Sequence, residues 1–310
     1  MPLVIPLSLP IRGVRDDPAR ATGRTSRQAK YDFCLMTWSD YIDESYNSRT
    51  FCVGGLLAPV GVWSKIESSW KQRIDYENRV SVKKGFSPIS RYHATYCANL
   101  KREFSEKNGW DIPRQIRFCK RLCEIIGSNG PYAILHGGGI ADVQKYLPPD
   151  INLVKEFLYH TSILLHLMKV GEVMKETLPG DKVTVYYDRS KQFGHIAKEV
   201  FDSFMEDPSA KGVSRYFITM APMGWDDCIP LQPADLFAYE GMKRVEGSLQ
   251  GSDEIRKALR ALLGNNRMPI WIEHFTDQNF TDLMTTVQNK REGRPMHEGV
   301  TSKLKLCHNQ

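Results

Sequence analysis

Nowhere in the 310 residues does an apolar run reach the length that a bilayer demands. The seven cysteines include no CxxC pair, which argues against both a zinc site and a disulfide framework. Cys119 and Cys123 fall on one helical stripe with Ile116 and Ile126, so they read as core residues. Also missing are the GxxxxGK[ST] and GxGxxG loops that cradle phosphates and dinucleotides. The opening Met1-Pro2-Leu3-Val4-Ile5-Pro6-Leu7 is apolar but interrupted by prolines, and no basic residue precedes it, which makes a poor signal peptide. These absences point to a cytoplasmic protein.

What is present is ordinary in bulk. Apolar residues make up 41% and charged residues 25% of the chain, as in a folded globular domain that buries a full core. A formal net charge of +6 permits an acidic partner without demanding one. Basic residues cluster at Lys83-Lys84, Lys101-Arg102, Lys120-Arg121 and Lys290-Arg291. The run His136-Gly137-Gly138-Gly139 matches the oxyanion loop of serine esterases in type. With no GxSxG nucleophile elbow in the chain, that reading is set aside.

Residues 1–30 are polar and basic beyond Arg12 and read as a mobile tail. The stretches Phe33 to Asp43 and Thr50 to Leu57 are rich in β-branched and aromatic residues, predicting two neighbouring strands joined by Ser45 to Arg49. From Val62 onward, Trp63, Ile66, Trp70 and Ile74 share one helical face. Residues 79–110 have little periodicity and surround the isolated group Arg91-Tyr92-His93-Ala94-Thr95. A lone histidine is more often structural than a ligand, and His93 is carried as a candidate. Asp111 caps a helix running to about Ile126, with Pro113 in its first turn. Its outer face carries Arg114, Arg117 and Arg121, a stripe that suits either phosphates or solvent.

A third strand, Tyr132 to His136, should end at the glycine run. A long helix follows from about Asn152 to Lys175, with Val154, Phe157, Thr161, Leu164, Leu165 and Met168 as its apolar face. Then come the strand Lys182 to Tyr187, closed by Asp188, a helix through Ile196, Val200, Phe201 and Phe204, a strand from Arg215 to Met220, and a helix opening at Leu231. Beyond it lie an Arg256 to Leu263 helix, a segment from Thr281 to Lys290, and a polar end from Glu292 to Gln310. Strands alternating with helices imply a mixed sheet covered by helices. The organisation read from this order is a tail over 1–30, one domain over 31–246 with an insertion at about 60–128, and a helical extension with a frayed tail over 247–310.

The chemistry concentrates in acids. Tyr41-Ile42-Asp43-Glu44-Ser45 places an acidic pair where a buried strand end calls for apolar side chains, although a solvated turn is the plain alternative. Tyr187-Asp188-Arg189 and Gln232-Pro233-Ala234-Asp235 add two more acids at element ends. If the strands of Asp43 and Asp188 are parallel neighbours, both residues lie at the carboxyl edge of the sheet, where open α/β folds hold ligands. Asp235 and Gln232 project from one helical face, and Leu231, Ala234, Ala238 and Met242 form a stripe of mostly small residues that lets this helix approach the sheet. Three carboxylates without a cation raise one another's pKa. Oxygen-only donors favour magnesium or manganese over zinc. Two such ions about 3.5–4 Å apart would suit phosphodiester hydrolysis.

Taken together, Asp43-Glu44-Ser45 before a strand ending in Gly54-Gly55, then His93-Ala94, Phe104 with Trp110, Asp188-Arg189 and Pro230-Leu231-Gln232-Pro233-Ala234-Asp235 resemble the family called domain of unknown function 3800. The likeness covers roughly residues 38 to 246. Members are bacterial or phage proteins. The resemblance implies an α/β, ribonuclease H-like mixed sheet flanked by helices, here with inserted helices and a helical C-terminal extension. It implies a nuclease using magnesium or manganese, with DNA or RNA as partner. Asp43, Asp188 and Asp235 would hold the metal, and Glu44 and His93 would join the catalytic set. Gln232, Arg189, Arg114, Arg117 and Arg121 are the candidates for substrate contacts. One departure is plain: where the family often carries an acid just after the histidine, this chain has Thr95-Tyr96. Two alternatives stay open beside the nuclease. One is an inactive ribonuclease H-like module that binds nucleic acid or a protein partner. The other is hydrolysis of a smaller phosphorylated substrate.

Overall fold

The computed structural model describes residues 37–189, 192–225, 227–264 and 268–275. The predicted tail, the first residues of the Phe33 run and the Thr281 to Lys290 segment lie outside them. In chain order the elements are β1 (Thr37–Tyr46), β2 (Thr50–Pro59), α1 (Val60–Lys83), α2 (Ala94–Ala98), α3 (Ile112–Asn129), β3 (Tyr132–Gly139), α4 (Ile140–Gln144), α5 (Ile151–Thr177), β4 (Lys182–Asp188), α6 (Gly194–Glu206), α7 (Lys211–Ser214), β5 (Phe217–Met223), α8 (Leu231–Leu249), α9 (Lys257–Leu263) and β6 (Ile270–Phe275). Short 3₁₀ turns occupy Arg102–Phe104, Glu106–Asn108 and Pro208–Ala210. Among the described residues no helix is long and apolar enough to cross a membrane.

The strands form one six-stranded mixed sheet in the order β5-β4-β1-β2-β3-β6. β1 and β2 are antiparallel, joined by the short link 47–49; β2 and β3 are also antiparallel, although residues 60–131 with α1, α2 and α3 lie between them. β4 runs parallel to β1, and β5 parallel to β4, each reached through a helical crossover. β2, in the middle, is buried along almost its whole length and reads as a continuous apolar run, as a strand covered on both faces must.

Alternation along β1 divides the two cores. Trp38 and Ile42 point to one face, joined there by Val183, Val185 and Tyr187 of β4 and covered by α5 and α6. The opposite face packs against α1, α3, α8 and α9 through Leu56, Trp63, Trp70, Phe118, Phe237 and Leu262. Tyr41 of β1 and Tyr186 of β4 stack on this second face with ring centroids 5.0 Å apart, and Trp63 meets Tyr41 edge-on at 4.6 Å.

Several sequence expectations shift. β1 does not stop at Asp43 but continues through Glu44 and Ser45 to Tyr46, because β2 remains beside it as far as Phe51. The glycine run 137–139 stays within β3, where only hydrogen side chains allow Cys52 of β2 to press against Gly137. β5 is displaced to Phe217–Met223. The long helix buries Leu158, Ser162, Ile163, His166, Leu167 and Val170 rather than the predicted Phe157, Thr161, Leu164, Leu165 and Met168, which are half-buried at its flanks. That helix is apolar on nearly every side, so periodicity could not select its inner face. The extension beyond residue 246 is not purely helical: β6 pairs in parallel with β3 and supplies one edge of the sheet.

Candidate metal centre

Asp43 owes its position to the β1–β4 pairing. The parallel register runs from Thr37 opposite Lys182 to Ile42 opposite Tyr187, so Asp43 and Asp188 are the next residues on each strand. Both share the face of Tyr41 and Tyr186 and emerge at the same sheet edge. Asp235 comes from α8, which lies across that face. Between Leu231 and Met242 every residue of α8 except Asp235 is buried. The small-residue stripe works as expected, with Gly241 added to it: Ala238 sits against Gly54 and Gly241 against Leu135.

The three carboxyls act on one another electrostatically. Burial pushes the Asp43 carboxyl well above its ordinary range, and the charges of Asp235, Glu44 and Asp188 push it further. Burial likewise raises Asp235, to about 7, with Asp188 adding to the rise and the Ala94 amide and Arg91 opposing it. Asp188 is raised by burial and restrained by the Arg189 amide and by the Arg91 and Arg189 guanidinium groups. Each aspartate also accepts a backbone N–H. Glu44 N–H donates to Asp43 Oδ1 at 2.9 Å, Ala94 N–H to Asp235 Oδ2 at 2.8 Å, and Arg189 N–H to Asp188. The acids thus stand within electrostatic reach of one another. Among the described residues, however, no three His, Cys, Asp or Glu side chains converge in a geometry that would hold a metal ion. The donor chemistry itself, all carboxylate oxygen with excess proton affinity, fits a hard divalent cation.

His93 belongs to this group. Its Nδ1 lies 3.7 Å from Asp235 Oδ2, is buried, and has no hydrogen-bond partner. Burial, together with the Arg91 and Arg102 cations, lowers its pKa to about 4, so the ring is neutral at physiological pH. It stacks on Tyr96 with centroids 4.0 Å apart, and the Arg102 guanidinium lies 4.3 Å from the centre of the Tyr96 ring. Tyr96, shortly after His93, is thus an aromatic ring covered by a cation.

Gln232 has a positioning part. Its Oε1 accepts from Trp70 Nε1 at 3.1 Å and from Tyr92 N–H at 3.0 Å, which ties α8 to α1 and holds the residues just before His93. Glu44 alternates to the α5 face, where burial raises the pKa of the Tyr159 hydroxyl and the Glu44 charge adds to the rise. Glu240, another acid on α8, is buried on a different face against Arg256, with Nε and Oε2 3.2 Å apart.

The arginine stripe of α3 needs correction. Arg114 turns inward: it donates to Glu77 Oε2 at 2.9 and 3.1 Å, to Ser81 Oγ at 2.9 Å and to Gly109 O at 3.1 Å, and it covers Trp110. Its guanidinium is thus half-buried and committed to these partners. Arg121 pairs with Glu124 of its own helix at 2.6 Å, and Arg117 is exposed. The cations that act on the aspartates are Arg91 and Arg189. Sequence reasoning named Arg189 but passed over Arg91. The available signal was its place two residues before His93. Arg91 lies over the Trp225 ring, 3.1 Å from its centroid, in the loop between β5 and α8.

No family model matches this chain, and no curated protein or solved structure matches it significantly. The resemblance described above rests on its motif residues alone.

Proposed function

We propose that this protein is a divalent-metal-dependent nuclease of ribonuclease H-like architecture that hydrolyses phosphodiester bonds in the cytoplasm. One observation carries the reading. Asp43 is destabilised as a carboxylate by burial first and then by the charges of Asp235, Glu44 and Asp188, at the carboxyl edge of a mixed sheet where a bound cation would offset that repulsion. The order β5-β4-β1-β2-β3, with β2 antiparallel to both neighbours, supports the ribonuclease H-like assignment. Free thiols at Cys52, Cys97, Cys119, Cys123 and Cys228 suit a reducing compartment.

In this reading Asp43, Asp188 and Asp235 hold magnesium or manganese. The ion, when bound, supplies the charge that activates water and stabilises the leaving oxygen. The chain's own residues do the rest. Arg91 and Arg189, beside the carboxylates, contact the substrate phosphate. His93, neutral and with a free Nδ1 facing Asp235, takes up or returns a proton at that nitrogen. Gln232 and the Ala94 amide keep this segment in register with Asp235. The test is cleavage of a mixed panel of DNA and RNA with magnesium or manganese, with Asp43→Ala as control. Cleavage that survives in the control, or none with either metal, ends this reading.

A second reading has its own support. The stack of His93, Tyr96 and Arg102 stands where the resemblance implies an acid, and each aspartate already accepts a backbone amide. A module that binds nucleic acid or a protein partner without cutting would need nothing more. It is favoured if nucleic acid binds with steep salt dependence and remains intact.

A further inference from the structure

Cys97 Sγ and Cys119 Sγ lie 3.6 Å apart, in van der Waals contact, although they are separated along the chain by 22 residues. They belong to different elements, α2 and α3, and both are buried. Cys119 has an unusual surrounding for a thiol packed as a small apolar group. Gln115 Nε2 donates to its sulfur at 3.5 Å, and the Tyr92 hydroxyl lies 3.8 Å from it. Donors directed at a sulfur favour its thiolate, the form that reacts.

Burial normally makes a thiol inert, so access must come from local opening, and the chain beside Cys97 is built for it. α2 is five residues long, too short to hold itself together by its own hydrogen bonds. Immediately after it, Leu100 and Arg102 adopt left-handed backbone with φ of 49° and 51°. Neither is a glycine, and each such residue costs on the order of 1 kcal/mol. A one-turn helix beside two strained residues is drawn from the low-stability end of a fold and opens first.

We propose that Cys97 and Cys119 form a reversible disulfide on exposure to hydrogen peroxide, and that this bond pins α2 and the His93 segment to α3. The peroxide supplies the oxidising equivalents. The Cys119 sulfur attacks one peroxide oxygen, the O–O bond breaks, a sulfenic acid forms, and the other oxygen leaves as water after taking up a proton. The Cys97 sulfur then attacks the sulfenic sulfur. The S–S bond forms, the S–O bond breaks, and the oxygen leaves as a second water with the Cys97 proton. Thiol reductants reverse the bond by exchange. α2 carries the Ala94 amide that holds Asp235, and His93 directly precedes it. The cross-link would therefore restrain one wall of the carboxylate centre. That consequence rests on the function proposed above, whereas the disulfide does not.

The experiment uses the full chain, exposed to hydrogen peroxide, blocked with a thiol reagent and mapped as unreduced peptides. The expected result is a Cys97–Cys119 peptide pair that dithiothreitol releases. It should be absent from Cys97→Ser and Cys119→Ser and retained in Cys123→Ser and Asp43→Asn. Blocked free thiols at both positions, over-oxidation without the pair, or a Cys119–Cys123 pair instead overturns the proposal. Hydrogen exchange of residues 94–104 supplies the second measurement on unsubstituted protein. Those amides should slow by about tenfold on oxidation, and unchanged exchange in the cross-linked protein overturns the pinning.

Discussion

A Cβ on Gly54 would stand 2.9 Å from the Cα of Ala238, so β2 and α8 touch backbone to backbone. Gly54 is also the register partner of Asp43, and Ala238 lies three residues beyond Asp235 on the helix. One close approach therefore sets how near Asp235 comes to Asp43. The Gly54→Ala methyl meets main chain, which cannot rotate away. We expect it to push α8 outward at a cost of about 1–3 kcal/mol and to diminish any magnesium-induced rise in melting temperature. Melting curves with and without magnesium check this, and an undiminished magnesium shift would show that the approach is dispensable.

The aspartates themselves should behave as a repelling group. Asp43→Asn removes a charge opposed by Asp235, Glu44 and Asp188, and we expect the metal-free protein to gain about 1 kcal/mol, a few degrees in melting temperature. Asp188→Asn and Asp235→Asn should likewise abolish the magnesium shift with the fold retained. Were the three merely turn and cap acids, each substitution would lower stability and magnesium would change nothing in the parent.

Arg114 and Arg117 lie on the same helix and separate structural from surface charge. Arg114→Ala leaves the buried Glu77 with Arg73 as its remaining cation and should cost about 2 kcal/mol. Arg117→Ala, at an exposed position, should stay within about 0.5 kcal/mol in chemical denaturation. If the two losses are alike, the inward pairing of Arg114 contributes little.

A separate polar group lies on the α5 side of the sheet and gives a pH dependence. His166 Nε2 and Asp40 Oδ2 are 2.7 Å apart with both side chains fully buried, and the His136 ring lies 6.3 Å from that of His166. Burial, His166 and Lys169 hold the His136 pKa well below its usual value, while Glu273 Oε2 lies 3.6 Å from its Nδ1. The unfolded chain protonates this ring near pH 6.5 and the folded one does not, so stability falls as pH drops below that value, by up to about 1.4 kcal/mol per unit. Asp235, raised to about 7, contributes with opposite sign between its unfolded value and 7. The measurement is therefore the difference between the parent and His136→Gln from pH 7 to pH 5, and the parent should lose more. Equal slopes would mean that His136 takes up its proton in the folded protein.

The sequence alone carried the alternation of strands and helices, the adjacency of β1 and β2, the three aspartates and the small-residue stripe of α8. These are local or nearly local: period, composition and the type of residue at an element's end leave their mark within a few positions. It also singled out His93, through its isolation in an otherwise unpatterned stretch, and the structure places that ring beside Asp235. The inner face of α5 was not legible, since a helix apolar all round has no preferred side until a sheet selects one, and the sheet selected the face bearing Ser162 and His166. Nor was the inward turn of Arg114, which depends on Glu77 and Ser81 arriving from another helix. β6, Ile270–Phe275, has the β-branched and aromatic residues of a strand, but its place beside β3 is a contact between segments far apart in sequence. Residue types and their local order determined which elements form and which acids the chain can bring to a site. Tertiary packing decided which faces are buried, which arginines act on the carboxylates and how near the acids stand, because those depend on contacts between segments far apart in sequence.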